Sequence, residues 1–200
     1  MIYILRCLVI YLLQFTERGI TMKEITLNEK NIFDGKIIRV HVDDVELPDG
    51  TKSFREVVEH SGGVCVAALD ENKELFFVRQ YRYPFKRELL ELPAGKLEKG
   101  EIPLEAGLRE LEEECGLRAD RVIDMGTIYP TVAYCSEIIY LFAAMGLHPV
   151  IQHLDEGEFL SVEKIPLETA ARMVIDGEIS DAKTVALILK LDKMLKEGNL

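Results

Sequence analysis

The sequence predicts a mixed α/β domain that begins near residue 24. Three observations carry this expectation. Apolar residues in the first half fall on alternate positions or in short runs between turn signals, as strands require. Segment 103–115 then switches to a helical repeat between strand-like segments. The C-terminal part carries two further helical repeats. No internal repeat, low-complexity tract or interdomain linker interrupts this order.

The elements follow one another along the chain. Ile38, Val40 and Val42 alternate; Val45 and Leu47 continue after a break at Asp43–Asp44, predicting a strand with a bulge there. The turn signal PDG at 48–50 and the returning segment KSFREVVEH complete a hairpin. GGVCVAAL (62–69) is continuously apolar, as in a strand buried on both faces. DENKE turns the chain into LFFVRQYR (75–82), and LLELPAG (89–95) reads as a short strand ending at Pro93 and Gly95. Pro103 suits a first helical turn and Gly116 a C-terminal stop. Strands are expected near 121–129 and 136–144. The acidic loop HLDEGE then leads into FLSVEKI, and helices over roughly 167–176 and 181–197 follow, with Gly177 as a stop and Ser180 or Asp181 as a cap.

Composition narrows the function. The formal net charge is −11, which argues against a nucleic-acid partner, since that needs Lys and Arg in excess on one face. Cys7, Cys65, Cys115 and Cys135 form no CxxC pair and read as free thiols of a reducing, cytoplasmic compartment. The four histidines form no metal-ligand pattern. The opening MIYILRCLVIYLLQF is too short to span a bilayer easily, carries Arg6 and Gln14, and lacks a small-residue cleavage site. Residues 1–21 are therefore expected to lie outside the fold, with no membrane partner. The strand region is expected over 22–60 and the main domain over 61–200.

Chemistry concentrates in RELEEECG, 109–116. At 100° per residue, Leu108, Leu111 and Cys115 lie within about 40° of Leu104, predicting the buried stripe. Glu110, Glu113 and Glu114 share another face, while Glu112 stands apart. Like charges at this spacing repel. Arg109 is the one cation beside them, and Gly107 costs about 1 kcal/mol relative to Ala inside a helix. Hard oxygen ligands converging from one face suit Mg²⁺, with Mn²⁺ an alternative.

Gly95, Glu101, Arg109, Glu110, Leu111, Glu113, Glu114, Gly116 and Leu117 match the Nudix box, G-x5-E-x7-R-E-U-x-E-E-x-G-U, at every defined position. FREVVEHSGGVCVAAL, VRQYRYP and LLELPAGKLEKGE extend the resemblance to the ADP-ribose pyrophosphatase branch, from about Met22 to Lys190. The resemblance implies an α/β/α sandwich with a mixed sheet, and a homodimer in which the N-terminal antiparallel strands take part. It implies Mg²⁺-dependent hydrolysis of a nucleoside diphosphate sugar, ADP-ribose to AMP and ribose 5-phosphate first. GDP-mannose or another nucleotide sugar is the alternative, and a non-catalytic ligand-sensing Nudix domain a third reading.

By position, the resemblance makes Glu110 and Glu114 principal metal ligands, with Glu113 sharing or orienting and the Ala94 carbonyl contributing. Arg109 would hold the glutamates, Glu101 would anchor the loop, and Gly95 would allow its sharp turn. The acidic loop is expected to supply the base, Glu156, with Glu158 as helper or additional ligand. Arg79 and Arg82 are candidates for substrate phosphate, facing opposite ways on a strand, with Arg79 favoured; Arg55 is expected to make a contact across the dimer. Glu88 and Glu91 are unranked candidates for ribose or metal. One stretch departs from the branch. Where S-P-G-F is common, IYPTVAYCSE places Val132 in the proline slot and Ala133 in the glycine slot, with Pro130 two residues early. That loop shapes the ribose end of the site. There is no tryptophan, so a stacked base would need Tyr81, Tyr83 or Phe85.

Overall fold

The computed structural model describes residues 22–200; the expected N-terminal extension, 1–21, lies outside the described residues. The chain divides into two units, at Val58 and Glu59.

The first unit is built from a three-stranded sheet in the order β1-β2-β3, with β1 at Ile25–Asp34, β2 at Ile38–Glu46 and β3 at Lys52–His60. β1 and β2 are antiparallel. The expected bulge at Asp43–Asp44 is not there: both residues pair in register with Glu29 and Asn28. The register instead slips twice on β1, between Thr26 and Asn28 and between Asn31 and Phe33. The apolar break in β2 reflects two acidic side chains in a regular ladder. It is the partner strand that carries the extra residues. β1 is exposed along its whole length, Ile25, Leu27, Ile32 and Phe33 included.

The second unit is layered. β4 (Gly63–Ala68) is buried at every residue and is central to a four-stranded sheet in which β7 (Ala94–Lys96) and β9 (Ile139–Pro149) flank it and β8 (Leu117–Ile128) pairs with β9. β9 runs parallel to β4, and the other pairs are antiparallel. β5 (Glu74–Arg82) lies between β10 (Leu160–Pro166) and β6 (Arg87–Glu91) in a second sheet. Because successive strand residues face opposite ways, β4 feeds two cores. Val64, Val66 and Ala68 pack with Ala106 and Leu111 of α1 (Pro103–Cys115). Cys65, Ala67 and Leu69 pack with α2 (Leu167–Ile175) and α3 (Ala182–Lys196). Helices thus cover both sides of β4, which is the expected sandwich with a mixed sheet. Among the described residues no helix is long and apolar enough to cross a membrane.

The buried face of α1 differs from the expected stripe. Leu104 is 41% exposed, while Ala106, Gly107, Leu111 and Glu114 are the buried residues. The helix is turned so that its carboxylate side faces inward. Gly107 lies on that side because a Cβ there would come within 3.2 Å of Phe142 and Val66. Its small size lets the helix lie close against the sheet.

Candidate active site

The site begins where β7 meets α1. The Ala94 N–H donates to Glu114 Oε2 at 2.9 Å, joining strand to helix. At Gly95 a Cβ would sit 1.8 Å from the Glu110 carboxylate. No other residue fits there unless Glu110 moves. Arg109 gathers the neighbouring carboxylates: Nη1 donates to Glu110 at 2.9 Å and to Glu113 at 2.8 Å, and Nε to Glu101 at 3.0 Å. Glu101 also accepts from the Glu98 N–H at 2.9 Å, so one guanidinium ties loop to helix. Glu112 points away and pairs with Arg118 on the surface. Glu112→Ala is therefore expected to leave the hydrolysis rate within about twofold of wild type, as surface changes do; initial rates check it.

The far end of α1 roots the acidic loop. Gly116 terminates the helix at φ 62°. Its carbonyl accepts from Val150 N–H, and Glu113 and Glu114 carbonyls accept from His153 N–H and the Gln152 side chain. The loop returns as Glu158, whose carboxylate accepts from Gln80 Nε2 at 3.1 Å. The negative charge of Glu158 reaches both Glu110 and Glu114. Glu156 lies in the exposed turn just before it. The structure thus brings Glu158 towards Glu110 and Glu114.

Electrostatics mark this face as short of positive charge. Glu114 is 2% exposed. Burial pushes its carboxyl up to about 8 from 4.5, with Glu110 and Glu158 adding to the rise against the Ala94 N–H. Burial also raises Glu110, against the pull of Arg109. Between about 4.5 and about 8 the folded state therefore holds a proton that the unfolded state has released, so metal-free stability falls as pH rises. Below that range the sign reverses. Glu91 is held below the usual range because Arg82 and Lys183 outweigh its burial, and Glu101 because Arg109 donates to it, so their stabilisation is lost in acid. A divalent cation binds only the ionised carboxylates. The Mg²⁺-induced rise in Tm is expected to grow across the window from 4.5 to about 8. Thermal melts in EDTA and in Mg²⁺ across pH measure it; an increment independent of pH would contradict the assignment.

β5 sorts the arginines by face. Arg79 is engaged with Glu163 on β10. Arg82, on the other face with Gln80, makes two bonds to Glu91 at 2.6 and 2.8 Å and acts on Glu114. Glu88 and Glu91 are likewise separated: Glu88 acts on Arg79, Glu91 on Arg82. Arg55, in the first unit, pairs with Glu24. Gln80 and Lys183 were not legible as site residues. The alternation of 80 with 82 was the available signal for Gln80; nothing in the sequence marks Lys183 as buried. In the first unit Glu29, His41 and Asp43 also bring one ligand atom each within 4.8 Å of one another. Only strand pairing unites them, and Arg39 is paired with Glu29.

A carboxylate helix face with Glu114 buried, closed by a glycine strand end and gathered by one arginine, defines the class. The NUDIX domain family matches residues 59–188, and the nucleoside diphosphate sugar hydrolase N-terminal domain matches residues 24–58. The chain belongs to the Nudix family. It is 41% identical over 180 residues to an ADP-ribose pyrophosphatase of Bacillus subtilis (strain 168), covering 89% of this chain and 96% of that one. It is 38% identical over 182 residues to a methanol dehydrogenase activator of Bacillus methanolicus, covering 89% and 98%. Its fold is similar to that of a crystal structure of an ADP compounds hydrolase, with TM-score 0.78 at 23% identity over 88% of this chain and 96% of that one.

Proposed function

We propose that this Nudix hydrolase cleaves the diphosphate of a nucleoside diphosphate sugar, with ADP-ribose the first candidate and GDP-mannose the alternative. The observation that carries the reading is the inward carboxylate face of α1, with Glu114 buried against the Ala94 N–H. The donor set fits Mg²⁺, or Mn²⁺ in its place. It offers only hard oxygens, and the raised Glu114 and Glu110 carboxyls are what a site built around an added cation would show without it. Glu110, Glu113, Glu114 and the Ala94 carbonyl would hold the ion. Bound there, it would neutralise the diphosphate and activate water.

The chain's own groups supply the rest. Water attacks one phosphorus of the diphosphate, the bridging P–O bond breaks, and a nucleoside monophosphate and a sugar phosphate leave. Arg109 keeps Glu110 and Glu113 oriented. Glu158 accepts the proton of the attacking water; its bond from Gln80 and its reach to Glu110 and Glu114 support it over Glu156, which then serves the loop. Arg82 binds the diphosphate; its nearness to Glu114 supports it over Arg79. Tyr83 and Phe85, exposed just beyond Arg82, offer rings for the base, whereas Tyr81 shares the Arg79 face of β5. Val132, 82% exposed in the departing loop, adds no polar group for a ribose.

Initial rates of AMP or GMP release from a panel of nucleoside diphosphate sugars, with Mg²⁺ and with Mn²⁺, test the reading. Absence of metal-dependent release across the panel sinks it. The exposed apolar side chains of β1 and of Phe54 support a homodimer. A monomeric mass by light scattering would remove the dimer.

A further inference from the structure

The mechanism above gives no task to Lys183, a largely enclosed cation. Lys183, in the first turn of α3, is 12% exposed and places its ammonium 2.5 Å from Glu91 and 2.9 Å from Asp181. Glu91 is itself only 2% exposed, yet it also accepts two bonds from Arg82. Two carboxylates and two cations thus close a balanced cluster next to Glu114. The cluster is fixed in place from the helix side. Asp181 caps α3 by accepting from Thr184 N–H at 3.1 Å, and Thr184 Oγ1 accepts from Leu92 N–H at 3.0 Å, beside Glu91.

The two cations on Glu91 are not equivalent. Lys183 is enclosed, whereas the Arg82 side chain is 36% exposed and reaches the edge of the site. A guanidinium carries five N–H donors, and the bonds to Glu91 use two of them. A diphosphate arriving at the site competes with Glu91 for that fork. Were Arg82 the only counter-ion, its turning to substrate would leave a buried carboxylate uncompensated, which is strongly unfavourable. With Lys183 in place, Glu91 stays paired whichever way Arg82 turns.

We propose that Lys183 is a positioning residue: the standing counter-ion of Glu91 that frees Arg82 to be shared with the substrate's diphosphate. The role rests on the reading of Arg82 given above. Burial opposes the charge of Lys183, but Asp181 and Glu91 outweigh it and keep it protonated.

The test is steady-state kinetics on the nucleoside diphosphate sugar that wild type hydrolyses fastest, ADP-ribose in the first instance. In Lys183→Met, KM is expected to rise about tenfold or more, with kcat within about threefold of wild type. The Mg²⁺-induced rise in Tm should match wild type, and Lys183→Arg should recover KM to within about threefold. In a Glu91→Gln background the carboxylate for which Lys183 is the standing counter-ion is gone. Adding Lys183→Met should then change KM by less than about threefold, and this pair decides the matter even where the single variant does not fold. An unmoved KM in Lys183→Met overturns the proposal, however far its Tm falls, because a merely structural lysine behaves that way. So does a lost Mg²⁺ increment, or a KM rise that persists in the Glu91→Gln background. A wild-type enzyme that hydrolyses none of these sugars overturns both readings. Hydrolysis with an unmoved KM overturns only the role of Lys183.

Discussion

Glu114→Gln is expected to lower the hydrolysis rate by a factor on the order of 10²–10³ or more, while giving the metal-free protein a stability advantage that grows from about pH 4.5 and is complete by about 8. Both effects come from the same burial. In wild type, ionising Glu114 against its surroundings carries a penalty of roughly 4–5 kcal/mol if the whole shift from 4.5 to about 8 is expressed. Glutamine keeps an oxygen to accept the Ala94 N–H but has no charge to bury. In EDTA the two proteins should melt alike in acid, where Glu114 is protonated, and diverge in favour of the variant as pH rises. In Mg²⁺ the order should invert, because only wild type gains from the ion. Initial rates at saturating Mg²⁺, with melts in both buffers, measure the pair of effects. A variant with near wild-type rate, or one destabilised in EDTA at high pH, would show that Glu114 is an ordinary core residue.

Glu158→Gln is expected to reduce kcat by about 10²–10⁴, the usual contribution of a general base. Glu156→Gln should stay within about threefold, as surface substitutions usually do. The two residues are separated only by Gly157, so the comparison isolates position from local composition. Glu158 is bonded by Gln80 and lies near the first residue of β10, Leu160, which pairs with Gln80 itself. The strand register thereby aims it. If Glu156→Gln carries the larger loss, the loop adopts a different arrangement with substrate bound and the assignments exchange.

Much of this architecture was legible because local chemistry and tertiary packing agree. The run at 62–69 had to be buried on both faces, and β4 is. Asp181 caps its helix, as its position just ahead of the apolar repeat requires. Arg109 bonds to Glu110 and Glu113, the arrangement the family resemblance implied. What stayed hidden depends on partners distant in sequence. The parallel pairing of β4 with β9 leaves no local mark. The rotation of α1 was misjudged because leucines suggest the buried side, whereas the space beside Ala94, Val66 and Phe142 determines it. The alternation rule separated Arg79 from Arg82, and the sequence favoured Arg79 for the phosphate; in the structure Arg79 pairs with Glu163 and Arg82 with the buried Glu91, partners distant from the local pattern.

The two register slips on β1 have a bearing on self-association. β1 is the edge of its sheet and carries exposed apolar side chains. A straight edge strand of that kind is a template for open-ended growth, each added strand exposing a new edge for the next. Each slip interrupts the even spacing of the outward N–H and C=O groups and increases local twist. A further strand can then match the edge only over short stretches. The irregularity thereby works against open-ended pairing along this edge.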